Sequence, residues 1–70
     1  MTAEVFSLAD GILQQQARCR ELLAEYQRIG PAGFFGASMI DLALRRTEKA
    51  VMEGDTVAML LCYEELRGLE

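Results

Sequence analysis

The sequence has no histidine and no tryptophan, and its 70 residues include two cysteines and a single proline. Without histidine, the commonest general base and the commonest metal ligand are both missing. Cys19 and Cys62 stand far apart in the chain, and two thiols cannot close a four-ligand zinc site unless carboxylates join them. No structural metal and no cofactor are therefore expected. No serine, cysteine or lysine has an identifiable base beside it. Glu64 and Glu65 adjoin, but consecutive residues of a helix point about 100° apart, which suits solvent better than a shared proton. No catalytic residue is assigned, and the chain reads as a non-enzyme.

Long apolar runs are also missing, so nothing approaches the roughly eighteen consecutive apolar residues that span a bilayer, and a membrane is not an expected partner. Positive charge is scarce. Seven Lys and Arg stand against eleven Asp and Glu, and a net charge of −4 opposes a phosphate backbone, which disfavours a nucleic-acid polymer. The start MTAEVFSLADG lacks the basic segment and apolar core of a signal peptide, so a cytoplasmic location is expected. In that reducing setting Cys19 and Cys62 act as small buried hydrophobes.

What is present is apolar helix. Half of the chain (51%) is hydrophobic, and it follows helical periods. From Thr2 to Ile29 the residues Val5, Leu8, Ile12, Gln15, Cys19, Leu22, Tyr26 and Ile29 recur at alternating steps of three and four, a heptad seam broadened by Phe6, Leu13 and Leu23. This predicts a helix from about residue 3 to Ile29, some 40 Å long. Ser7 with Asp10 offers an alternative start inside it, as an approximate capping box. Gln15 is the one polar member of the seam, and Gly11 is a second irregularity.

Gly30 and Pro31 end the first helix, because glycine takes the left-handed position and proline cannot continue the hydrogen-bond ladder. The stretch GPAGFFGAS predicts a loop over residues 30–37, with Gly33 and Gly36 supplying freedom. A second helix is expected from Ser38, capped with Asp41, to Glu53, with Met39, Ile40, Ala43, Leu44, Ala50 and Val51 as its apolar face. Gly54 stops it. Asp55 caps a third helix from Thr56 to about Arg67, whose unbroken apolar run from Val57 to Tyr63 needs cover on more than one side.

The fold class is therefore all-α: a single helical domain with a long N-terminal helix and a C-terminal αα-hairpin. The hairpin resembles the tetratricopeptide type, with Ala50 and Ala58 allowing close approach and Tyr63 filling the next layer, although only one unit is present. A 70-residue chain buries only about 60% of its unfolded surface. The seam of helix 1 and the run in helix 3 thus predict a homo-oligomeric bundle, with Ile12, Leu22, Tyr26, Leu60 and Tyr63 at the contact between copies.

Two candidate binding features remain. Phe34 and Phe35 are neighbours, and two adjacent aromatics cannot easily share one buried face of a helix, so one of them is a candidate partner-binding knob. Gly33, Gly36 and Ser38, followed by Arg45 and Arg46, form a glycine loop running into a helix N-terminus near two guanidinium groups, a candidate site for an anionic ligand. It has neither the lysine of a P-loop nor the preceding strand of a dinucleotide fingerprint.

The last fifty residues resemble the short helical accessory proteins encoded by tailed bacteriophages and prophages. The features that carry the resemblance are the GFFGA stretch ending at Ala37, the Gly54-Asp55 turn and the close YEELRGLE. The resemblance implies a non-catalytic protein in the host cytoplasm that binds a host protein, as in host takeover or anti-defence. Alternatively, it sequesters a small anionic signalling nucleotide at oligomer interfaces.

Overall fold

The computed structural model describes residues 7–70, and every described element is helical: α1 (Leu8–Ile29), a short 3-10 turn (Gly30–Gly33), α2 (Phe34–Glu53) and α3 (Thr56–Arg67). The expected start of the first helix near residue 3, and the seam members Val5 and Phe6, lie outside the described residues. Within them the local capping chemistry decides the boundaries. The Ser7 hydroxyl accepts from the Asp10 N–H at 3.3 Å, and Asp10 itself sits where the helix dipole favours a carboxylate. At the other end Gly30 takes φ 86° and donates its N–H to the Gln27 carbonyl. Gly54, at φ 67°, closes α2 in the left-handed conformation, with Asp55 N–H returning to the Ala50 carbonyl at 3.2 Å. The Asp55 carboxylate then accepts from Ala58 N–H at 3.2 Å and starts α3.

The loop expected over residues 30–37 is a correction. Only Gly30–Gly33 leave the α-helical path, and α2 begins at Phe34, four residues before the expected start. Ser38 is therefore inside the helix and caps nothing, while Asp41 pairs with Arg45 at 2.9 Å. The reason is tertiary. A Cβ on Gly33 would overlap the Tyr26 carbonyl oxygen, and one on Gly36 would press on the Tyr26 ring at 3.0 Å. These two glycines lie one turn apart and let the first turn of α2 rest directly on the last turns of α1, so they serve close packing and not loop freedom.

With so short a connection α2 folds back along α1, and Arg20 of α1 reaches Glu48 of α2 at 3.3 Å. The third helix packs on both. Its Leu66 is completely buried and joins Cys19, Ile40, Ala43 and Leu44 in the core, with Leu22, Leu23, Tyr26 and Leu69 packed around them. Ile12, Gln16, Thr47 and Ala50 are buried as well. Thr47 meets its burial cost by donating its hydroxyl to the Ala43 carbonyl at 2.8 Å.

The seam expected to face a second copy is thus largely used inside one chain. Ile12 is 2% exposed, and Leu22 and Tyr26 lie against the chain's own core. The polar residue drawn into the bundle is Gln16, which is buried, whereas Gln15 is half-buried. On α2, Thr47 takes a buried place, while Met39 and Val51 stay about half exposed. Exposed apolar side chains remain on all three helices: Leu13 and Ile29 on α1, Phe34, Phe35 and Met52 on α2, and Val57, Leu60 and Leu61 on the outer side of α3.

Candidate functional site

Two clefts flank α2. The first, about 540 Å³, lies in the groove between α1 and α2 at the end closed by the 3-10 turn. Leu23, Pro31, Phe34 and Ala37 give it apolar walls, and Gln27, Ser38, Asp41 and Arg45 give it a polar side. Phe34 is 75% exposed at its rim, and Phe35, one residue and about 100° further round the helix, is 78% exposed. Phe35 continues into a stripe with Met39 and Leu42 at helical steps of four and three, all three exposed. The aromatic pair therefore straddles the exposed ridge of α2, one ring over the cleft and the other on the opposite flank.

The second cleft, about 500 Å³, runs between α2 and α3, with a floor of Ala50, Ala58 and Cys62, Leu61 at its rim, and the charges of Arg46, Lys49, Glu53 and Glu65 around it. This separates the residues expected to meet an anion. Ser38 and Arg45 line the first cleft, and Arg46 lines the second. Gly33 is buried and Gly36 lies under the Tyr26 ring, so neither offers a free loop. Each guanidinium also has an acid beside it: Arg45 has Asp41 at 2.9 Å and Arg46 has Glu65 at 3.1 Å. Adjacent helix residues diverge by about 100°, which sends neighbouring arginines into different grooves. These pairs are solvent-exposed and individually contribute little to stability.

A tighter polar arrangement joins α1 to the end of α3. The Leu66 carbonyl, in the last turn of α3, accepts from the Arg18 guanidinium at 2.7 Å and from the Cys19 thiol at 3.6 Å. Carbonyls of a last helical turn have no partner within the helix, and here the Leu69 N–H, at 3.2 Å, and the neighbouring helix supply them. The sequence signal for this is faint: Arg18 falls beside the seam, where charge reads as solvated surface. Burial pushes the Cys19 thiol above its ordinary value, and the Arg18 guanidinium opposes this only partly.

The raised value has a consequence for pH dependence. The unfolded chain loses the Cys19 proton first as pH climbs past the ordinary thiol range of about 8.5, while the folded chain keeps it. Stability from this group is therefore intact below that pH and is lost as pH rises towards the folded-state pKa. Urea midpoints measured from neutral pH to about pH 10 should fall more steeply for the wild type than for Cys19→Ala. Parallel curves would mean that the folded and unfolded thiols titrate alike.

No protein-family model, curated protein or solved structure matches the chain. Among the described residues no group of three or more Cys, Asp or Glu side chains is arranged to hold a metal ion, and no helix is long and apolar enough to cross a membrane.

Proposed function

We propose that this chain is a non-enzymatic binding protein whose partner docks on the Phe34 and Phe35 end of the bundle. One observation carries the reading: two adjacent phenylalanines are both at least three-quarters exposed, Phe34 at the rim of a cleft with apolar walls and Phe35 on the opposite flank of α2. Large aromatics supply most of the binding energy in protein interfaces when a partner desolvates them, and a free protein gains nothing by exposing them. The cleft walls of Leu23, Pro31 and Ala37 beside Phe34 suit an inserted apolar side chain, and Arg45 and Asp41 at its edge can orient a polar neighbour. The resemblance to phage accessory proteins makes a host protein the expected partner class, and a homo-oligomer the expected form of the binder.

The test is comparative capture from bacterial lysate with wild type, Phe34→Ala and Phe35→Ala as baits. Both substitutions remove exposed side chains and should change stability by no more than about 0.5 kcal/mol. A specific partner should be retained by the wild type and lose on the order of thirtyfold in affinity with each variant, a hot-spot effect of about 2 kcal/mol. Recovery of the same proteins by all three baits removes the reading.

The alternative, a sponge for a small anionic nucleotide, has one observation in its favour: Ser38, Arg45, Gln27 and the ring of Phe34 share a cleft. Calorimetry with cyclic di- and trinucleotides tests it. Heat that disappears in Arg45→Ala supports it, and no heat with any of them ends it. The pairing of both arginines with acids, in separate grooves, favours the protein partner.

A further inference from the structure

The first turn of α2 carries both exposed phenylalanines, and little within the turn holds it in place. Gly33, the residue before it, has no side chain to cap the free N–H groups, and no acidic residue stands in the turn to answer the helix dipole. Of the residues from Phe34 to Ala37 only Ala37 is buried, and the Phe34 N–H is taken by the Pro31 carbonyl. The turn rests on Tyr26. Gly33 lies against the Tyr26 backbone carbonyl, and the Tyr26 ring lies under Gly36, where a Cβ would stand 3.0 Å from Cε1 and 3.1 Å from Cδ1.

The ring is tied from its other end as well. Its hydroxyl donates to the Glu70 carbonyl at 2.6 Å, which links α1 to the segment that follows α3. Leu69 packs against the core and donates its N–H to the Leu66 carbonyl at 3.2 Å, so that segment is anchored and offers the hydroxyl a fixed acceptor. We infer that Tyr26 is the positioning residue of the aromatic pair: it holds the first turn of α2 in the orientation that presents Phe34 and Phe35, and its hydroxyl makes that orientation depend on residues 68–70.

The importance of the pair as a contact rests on the proposed function; the mechanical link from Glu70 through Tyr26 to the turn does not. A turn held in one orientation loses less freedom when a partner closes over its side chains, so the support given by Tyr26 appears as affinity. Whatever draws the Glu70 carbonyl off the hydroxyl frees the ring and weakens the site from outside it.

Amide hydrogen exchange followed by NMR reads the turn with no partner present. In the pattern of an α-helix the N–H groups of Ala37, Ser38, Met39 and Ile40 bond to the carbonyls of residues 33–36, so their exchange reports opening of the first turn, while Ala43 to Thr47 report the middle of the helix. Tyr26→Phe keeps the ring and loses the hydroxyl, and should speed exchange at the first set by about threefold, the scale of one exposed hydrogen bond, with the second set unchanged. Tyr26→Leu also removes the ring and should speed the first set at least about tenfold relative to the second, a ratio that discounts any general loss of stability. Equal acceleration of both sets in Tyr26→Leu, or none, overturns the positioning role. Exchange in Tyr26→Phe that matches the wild type overturns the dependence on residues 68–70. Tyr26→Leu keeps both phenylalanines, so a partner whose capture requires Phe34 should bind it about tenfold more weakly than the wild type. If such a partner is indifferent to Tyr26→Leu, the positioning role fails and the proposed function stands. If no captured protein depends on Phe34 or Phe35, the proposed function fails and the exchange rates still decide the link.

Discussion

Gly33→Ala should lower the melting temperature by on the order of 15 °C, although alanine is a better helix former and the site lies at the start of a helix. Gly33 has φ −94°, which any residue adopts, so its conformation is not the constraint. Space is. An added Cβ would overlap the Tyr26 carbonyl oxygen and come within 3.3 Å of the Ile29 Cβ. A backbone oxygen cannot rotate aside as a side chain can, so α2 must move away from α1 to make room. Inserting one carbon into a packed contact typically costs about 1–3 kcal/mol, and a clash with backbone belongs at the upper end. In a small domain each kcal/mol is worth roughly 4–8 °C.

Gly30→Ala provides the contrast. Nothing lies within 4 Å of a Cβ there, but φ 86° with ψ −145° is a conformation that only glycine adopts readily. Its cost, about 1–3 kcal/mol, comes from backbone strain alone. Trimming Tyr26 to alanine relieves neither, because Gly33 meets the Tyr26 backbone; asparagine at position 33 should clash as alanine does, and at position 30 it should be as costly as alanine, because its tolerance of positive φ belongs to the left-handed helical region and does not extend to ψ −145°. Thermal melts followed by circular dichroism read all of these, and a Gly33→Ala protein as stable as the wild type would mean that α1 and α2 do not approach as closely as described.

The second large effect is expected from Leu66→Ala. Leu66 is 0% exposed and is the residue through which α3 enters the core with Cys19, Ile40, Ala43 and Leu44. Truncation leaves a cavity that the two longer helices cannot easily collapse around, so about 3 kcal/mol is lost, within the range of 2–5 for buried leucines. A 70-residue domain has a total stability of roughly 4–10 kcal/mol, so the variant keeps little margin. Leu60→Ala, on the same helix but half exposed, should cost well under 1 kcal/mol at concentrations where the chain is monomeric. Urea titrations of the pair measure which side of α3 is buried. Equal losses from the two would contradict the packing of α3.

The helix ends were the most legible part of the chain. Ser7, Gly54 and Asp55 act through hydrogen bonds and φ angles within a few residues of themselves, and such local chemistry reads the same in the sequence as in the folded protein; Gly30 also ends its helix, but at φ 86° and ψ −145° and not in the left-handed conformation expected of it. The start of α2 was not legible. Gly33 and Gly36 carry the composition of a loop, and only the presence of Tyr26 against them converts that signal into a helix packed at close range. In the same way Arg45 and Arg46 are neighbours in the chain, yet α1 lies beside one flank of α2 and α3 beside the other, so the two open onto different clefts.

The candidate site was legible in part. The adjacency of Phe34 and Phe35 led to the expectation that one of them is exposed, and both are. That Phe34 rims a cleft depends on Leu23 and Pro31, which no spacing connects to it. The apolar run of α3 was visible, but not which of its members the core would take. Leu66, outside that run, is the buried anchor, while Val57, Leu60 and Leu61 within it face outward.

By itself the sequence determined that the chain is helical, where most of its helices stop, and that it carries more apolar surface than its length can hide. Those properties follow from backbone chemistry and from composition. Only the tertiary structure decided which apolar residues the chain keeps for its own core. Burial is shared among three helices whose mutual rotation no single helix encodes, and that rotation leaves the outer side of α3 and the aromatic end of α2 uncovered.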